Sequence, residues 1–225
     1  MPTPRRYDAV LFDFSGVMID SAFAAIAKIG GDAGADQTLE LLLGPYDRDT
    51  DHPWHRVERG EIPITDWVTE VSEQAARDGV TLDFGQLSSF LANADVRDDM
   101  VAEVLALRAD GYGTALVTNN VREASDSWRR MLALDDLFDV VVDSSSVGVR
   151  KPDPRIYLLA LEQLGDVEPA RAVFLDDHPG NVAGAERAGL AAVLVDDPAV
   201  AIAELRELLG RSLADGAELP APPGA

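Results

Sequence analysis

The chain has 225 residues, 47% hydrophobic and 26% charged, which fits one globular domain, or one with a modest insertion, rather than a disordered or fibrous polymer. Nineteen Lys and Arg against 40 Asp and Glu leave a net charge of -21, which opposes association with nucleic acid and with anionic membrane surfaces. The lack of cysteine excludes disulfide staples, thiolate metal sites and cysteine nucleophiles, so a metal would be held by oxygen or histidine. No apolar run reaches the roughly 18 residues of a membrane span, and a soluble, cytoplasmic protein is expected.

In chain order, short apolar runs rich in β-branched residues predict strands at 8–13, 113–118, 138–142, 171–176 and 191–195. Between them, 98–109, 122–133, 154–165, 180–188 and 198–209 carry apolar residues at helical spacing, and this alternation builds a parallel sheet. Pro154 sits where a first helical turn tolerates proline, and Gly189 closes the helix before the last strand.

The interval between the first two strands is far longer than a crossover helix needs. It predicts a small all-helical cap with helices at Ala22 to Ile29, Gln37 to Leu43, His55 to Arg59, Thr65 to Ala76 and Phe84 to Leu91. The expected division is an α/β core over 1–19 and 97–212, a helical cap over 20–96, and a flexible tail over 213–225, where Pro and Ala dominate.

Open α/β sheets bind ligands beyond the carboxyl ends of their strands, where strand order reverses. The first strand ends in Asp13, the second in Thr118 and Asn119, and the fourth in Asp176 and Asp177, while Lys151 stands in the loop after the third. A nucleophile, a hydroxyl, a cation and a carboxylate pair are thus expected to converge.

These segments also carry a resemblance. Val10-Leu-Phe-Asp-Phe-Ser-Gly-Val-Met-Ile-Asp20 resembles the first motif of the haloacid dehalogenase-like (HAD) hydrolase superfamily. Leu116-Val-Thr-Asn-Asn120, Gly148-Val-Arg-Lys-Pro-Asp-Pro154 and Val173-Phe-Leu-Asp-Asp-His-Pro-Gly-Asn-Val-Ala-Gly-Ala185 look like its second, third and fourth, in order. The helical insertion is similar to the cap of the branch that includes the phosphatase-like N-terminal domains of bifunctional epoxide hydrolases, with Trp54-His-Arg-Val-Glu-Arg-Gly-Glu-Ile62 resembling a cap segment common there.

The resemblance implies a Rossmann-like three-layer α/β core with a five-stranded parallel sheet of order 5-4-1-2-3, and a small helical cap inserted after the first strand. It further implies hydrolysis of a small phosphorylated metabolite by a magnesium-dependent phosphatase through a phosphoaspartyl intermediate on Asp13. Magnesium would be held by Asp13, the Ser15 main-chain carbonyl and Asp176, with Asp177 a ligand or an orienter through water. Lys151 would neutralise Asp13 and the phosphoryl group, and Thr118 and Asn119 would hold phosphoryl oxygens. Asn181, four residues beyond Asp177, would orient the aspartate pair or the Lys151 loop.

Ser15 departs from the family pattern, which places an aspartate two residues after the nucleophile as proton carrier. A serine hydroxyl does not titrate near neutrality, and losing a general acid or base typically costs about 10²- to 10⁴-fold. Three routes follow: activated esters that need no acid, a substitute such as water or His178, or a weak catalyst that mainly binds a phosphate ligand. A 2-haloacid dehalogenase is the other alternative, although such enzymes lack the acidic pair at Asp176 and Asp177. Trp54, His55 and Arg56 are candidate substrate contacts from the cap.

Overall fold

A computed structural model describes residues 5–85 and 93–211. Five strands, β1 (Ala9–Phe12), β2 (Gly113–Thr118), β3 (Val140–Asp143), β4 (Ala172–Asp176) and β5 (Ala191–Leu194), form one wholly parallel sheet of order β3-β2-β1-β4-β5. This is the expected order read from the opposite edge. Every residue of β1 and β4 is buried, as a parallel sheet with helices on both faces requires, and this explains why their sequences read as continuous apolar runs.

On one face, Val10, Phe12, Leu116, Val173 and Leu175 pack with Met100, Val104, Leu107 and Leu205. On the other, Leu11, Ala115, Val117 and Phe174 pack with Ile156, Tyr157, Ala160 and Ala185. The predicted helix at 98–109 is observed at Asp98–Ala109. The predicted helix at 122–133 is instead broken into a 3-10 turn and a single α-helical turn at Ser125–Trp128, where Ser, Asp and Ser compete for backbone hydrogen bonds.

Between β1 and Asp98 lies a helical insertion: α1 (Phe23–Ile26), α2 (Ala35–Leu43), α3 (Pro53–Glu58) and α4 (Ile64–Arg77). The first is one turn rather than two: past Ala27 the backbone hydrogen bonds, Lys28 N–H to Ala25 and Ile29 N–H to Ile26, take the three-residue spacing of turns. The insertion has its own apolar centre, Ile29, Leu42, Leu43, Val57, Trp67 and Val71, joined by Val121 from the loop after β2. The helix expected at Phe84 to Leu91 lies, beyond Phe84 and Gly85, outside the described residues, as does the expected tail from 213. Among the described residues no helix is long and apolar enough to cross a membrane.

Two helices of the core start beside the site. α5 (Pro154–Gln163) is capped by Asp153 and α6 (Pro179–Arg187) by His178, whose Nδ1 accepts the Gly180 N–H at 3.0 Å; both have proline at the first helical position. Gly180 is where the insertion presses closest on α6, since a Cβ there would sit 2.6 Å from the Tyr46 carbonyl oxygen and 3.0 Å from Asp47 Cα. Both neighbours are backbone and cannot rotate aside. Gly180→Ala is therefore expected to lower the unfolding free energy by about 1–3 kcal/mol, read by urea denaturation; an unchanged midpoint would show that the insertion can withdraw from α6 without cost.

Candidate active site

The parallel register places the site's first residue. After Phe12 pairs with Leu175, the Asp13 N–H donates to the Leu175 carbonyl at 2.9 Å, so Asp13 emerges beside Asp176 at the ends of the two central strands. Lys151 reaches between them from the loop after β3, with Nζ 2.6 Å from Asp13 Oδ1 and 2.7 Å from Asp176 Oδ2. All three side chains are almost completely buried.

The remaining donors fix these groups in place. Asp13 Oδ1 also accepts the Phe14 N–H at 2.7 Å, which leaves Oδ2 as the Asp13 oxygen with no protein donor among the described residues. Asp176 Oδ1 accepts the His178 N–H at 2.8 Å and the Asn181 amide at 3.0 Å. Asn119 makes a two-way pair with the Lys151 backbone: its Nδ2 donates to the carbonyl at 3.0 Å and its Oδ1 accepts the N–H at 2.8 Å. Both ends of that amide are therefore engaged in holding the lysine loop. Thr118 is buried at the end of β2.

Asp177 completes an acidic trio with Asp13 and Asp176, one oxygen or other ligand atom from each lying within 4.8 Å of the rest. Its Oδ2 accepts the Ser21 hydroxyl at 2.6 Å. Gly16, at φ +85°, leaves room for it, because a Cβ there would overlap the Asp177 carboxylate. Ser15, by contrast, is turned into its own loop: its hydroxyl accepts the Ala22 N–H at 3.1 Å and lies 3.5 Å from the Asp20 carbonyl.

Electrostatically the site is short of positive charge. Burial raises Asp13 well above the ordinary carboxylate range; Lys151 opposes this, while Asp176 and Asp177 add to it. Burial and the Asp176 charge also push Asp177 up, to about 6. Burial would lower the Lys151 ammonium, but Asp13 and Asp176 outweigh it and hold it above its usual value. A compact set of oxygen donors carrying more negative charge than one ammonium balances suits a hard divalent cation, and magnesium fits the donor set.

A cavity of about 440 Å³ reaches the trio at Asp177, lined by Gly16, Asp177 and His178 from the core and by Ser21, Phe23, Leu43 and Tyr46 from the insertion, among others. Phe23, Tyr46 and His178 form an aromatic group with centroids 4.7–5.4 Å apart. The cap residues expected at this position are elsewhere. Trp54 packs on Trp67 at 4.9 Å, His55 is fully buried with Nδ1 accepting the Thr50 N–H at 3.0 Å, and Arg56 lies near Glu61 on the surface. Helical amphipathicity does not reveal which helix start or loop will fold over a distant strand end, and Phe23 and Tyr46 escaped for that reason. Ser21 stands five residues before the insertion's first helix ends, with no pattern to mark it as a partner of Asp177.

The HAD-like hydrolase family model matches residues 7–189. The chain belongs to the haloacid dehalogenase-like hydrolase family. It is 33% identical over 212 residues to mouse acyl-CoA dehydrogenase family member 10, covering 92% of this chain and 19% of that protein. It is 33% identical over 232 residues to bifunctional epoxide hydrolase 2 of Sus scrofa, covering 94% and 40%. A sesquiterpene phosphatase of Aspergillus oryzae is 30% identical over 159 residues, covering 70% and 79%. The chain thus spans under half the length of the first two relatives.

Among solved structures, a predicted HAD-like family hydrolase from Porphyromonas gingivalis superposes with a TM-score of 0.64 at 23% identity, covering 92% of this chain and all of that one. A HAD family enzyme from Bacteroides thetaiotaomicron, in complex with magnesium and inorganic phosphate, superposes at 0.56 and 20% identity, covering 84% and 93%. These likenesses establish the shared fold.

The electrostatics carry a stability consequence. A carboxyl raised in the fold favours folding below its unfolded value and loses that contribution as pH rises through the folded value, so at neutral pH Asp13 works against the fold. Asp13→Asn is expected to raise stability in metal-free buffer at pH 7 by about 0.5–2 kcal/mol, measured by thermal unfolding. A variant that melts below the wild type would show that Lys151 fully compensates the carboxylate.

Proposed function

We propose that this HAD-like hydrolase is a magnesium-dependent phosphomonoesterase acting on a small phosphorylated metabolite through an aspartyl-phosphate on Asp13. The observation that carries the reading is the Lys151 ammonium held between Asp13 and Asp176, 2.6 and 2.7 Å from their oxygens, beside the third carboxylate of Asp177. A phosphate monoester dianion repels a carboxylate nucleophile, and this arrangement supplies one cation and the oxygen donors for a second. The sesquiterpene phosphatase and the phosphate complex among the relatives support the same class of substrate.

In this reading Asp13, Asp176 and the Ser15 carbonyl would hold magnesium, with Asp177 a further ligand or an orienter through water, and the bound ion would supply charge neutralisation for the phosphoryl oxygens. Asp13 Oδ2 attacks phosphorus, the bond to the ester oxygen breaks, and Lys151 and Thr118 stabilise the transferring oxygens. Water then attacks the aspartyl-phosphate to release inorganic phosphate and restore the carboxylate. Asn119 and Asn181 hold Lys151 and Asp176 in register. The acidic trio favours this reaction over metal-free displacement of halide.

No proton donor stands at Ser15, whose hydroxyl is committed to the Ala22 N–H. The enzyme is therefore expected to favour esters with good leaving groups. p-Nitrophenyl phosphate hydrolysis should require magnesium and vanish in Asp13→Asn; magnesium-independent turnover, or turnover retained in that variant, overturns the reading. Ser15→Asp, whose carboxylate can still accept the Ala22 N–H, should speed hydrolysis of unactivated alkyl phosphates by roughly 10²-fold. No gain in a folded variant would place the limitation elsewhere.

A further inference from the structure

Next to Lys151 in the chain, Arg150 is fully buried, an unusual position for a guanidinium. Its Nε donates to Glu58 Oε2 at 2.6 Å, and Glu58 is itself buried at the end of α3 in the insertion. The Tyr46 hydroxyl donates to the other Glu58 oxygen at 3.1 Å, and the Arg150 guanidinium lies 5.2 Å from the Tyr46 ring centre. Tyr46 in turn packs on His178 and Phe23 as a wall of the 440 Å³ cavity. Neither Arg150 Nη1 nor Nη2 has a hydrogen-bond partner among the described residues, although Nη1 lies 3.7 Å from Asp49 Oδ1.

Stability is a poor account of such a pair. Burying two charges costs several kcal/mol per ion, and well-packed apolar replacements of buried pairs are often neutral or stabilising. What a directional ion pair adds is a fixed position. One side of this pair belongs to the loop that carries Lys151, and the other to the insertion that supplies the cavity wall.

We propose that Arg150 is a positioning residue: through Glu58 it fixes Tyr46 as the cavity wall and makes closure of the insertion and placement of Lys151 a single event. Lifting the insertion off the cavity would break the Arg150 to Glu58 pair and free the residue beside Lys151. Arg150 touches no substrate and acts through its neighbours. The kinetic arm of the test rests on the phosphomonoesterase reading; the exchange arm does not.

Two variants decide the matter. Arg150→Met combined with Glu58→Leu leaves no unpaired buried charge and should melt near the wild type, yet amide hydrogen exchange should quicken at least tenfold in both 46–60 and 148–153 while β1 and β4 stay protected. Tyr46→Phe removes a single hydroxyl. It leaves the Arg150 to Glu58 pair in place, so it should quicken exchange in 46–60 but not in 148–153, and raise KM for p-nitrophenyl phosphate about fivefold, the worth of one hydrogen bond, with kcat nearly unchanged. Wild-type exchange in both segments of the double variant reduces the pair to packing and overturns the proposal. Should the double variant not fold, Glu58→Gln, which keeps the side chain's shape and removes its charge, replaces it, and wild-type exchange in both segments of that variant overturns the proposal equally. A wild type without phosphatase activity would sink the functional reading alone, and the exchange results would still decide this one.

Discussion

Three carboxylates and one ammonium are gathered at the ends of the two central strands, and much of the surrounding structure serves to hold that unbalanced group together. Asp13 and Asp176 are almost fully buried, where like charges repel with little solvent screening, and among the described residues Lys151 is the cation that stands between them. The fold does not relax this by letting the side chains drift apart. The Phe14 and His178 backbone N–H groups and the Asn181 amide pin the carboxylates, and the Asn119 amide grips the lysine backbone at both ends. A site with that much stored repulsion is the part of the molecule where stability is given up, and on the phosphomonoesterase reading a cation and a phosphoryl group would relieve it.

The insertion completes what the sheet begins. The strand ends alone would leave the carboxylates open to water, and the aromatic group of Phe23, Tyr46 and His178 encloses one side. Contact with the core is tight and polar as well as apolar: Gly180 gives way to the Tyr46 backbone, Arg150 reaches Glu58, and Gly60 of the insertion lies close against the Ser145 carbonyl and the Arg122 guanidinium. Water exclusion over a reacting group strengthens each electrostatic interaction beneath it.

The core was legible from the sequence because each signal was local. Apolar runs such as Ala9–Phe12 and Ala172–Asp176 are buried on both faces, so composition alone marks them, and the charged residues that interrupt them at the carboxyl ends form the candidate site. Asp13, Lys151, Asp176 and Asp177 met as expected, and Asn181 fell on Asp176. The insertion was legible only as helices. Trp54 and His55 could have faced the substrate or the core, and they pack inward, since an aromatic at helical spacing reports burial without saying in which cavity. Tyr46 and Arg150 find their roles through contacts distant in sequence, which no periodicity records. Ser15 was conspicuous as a missing aspartate, but only the coordinates show its hydroxyl accepting the Ala22 N–H.

The central claim is that Asp13 is the nucleophile, and trapping the intermediate tests it most directly. The wild type, mixed with p-nitrophenyl phosphate and magnesium and quenched in acid within a turnover, should yield a proteolytic peptide containing Asp13 that carries one phosphoryl group, released by mild base. Steady turnover with no phosphorylated peptide, or a phosphoryl group on any other residue, would contradict the account.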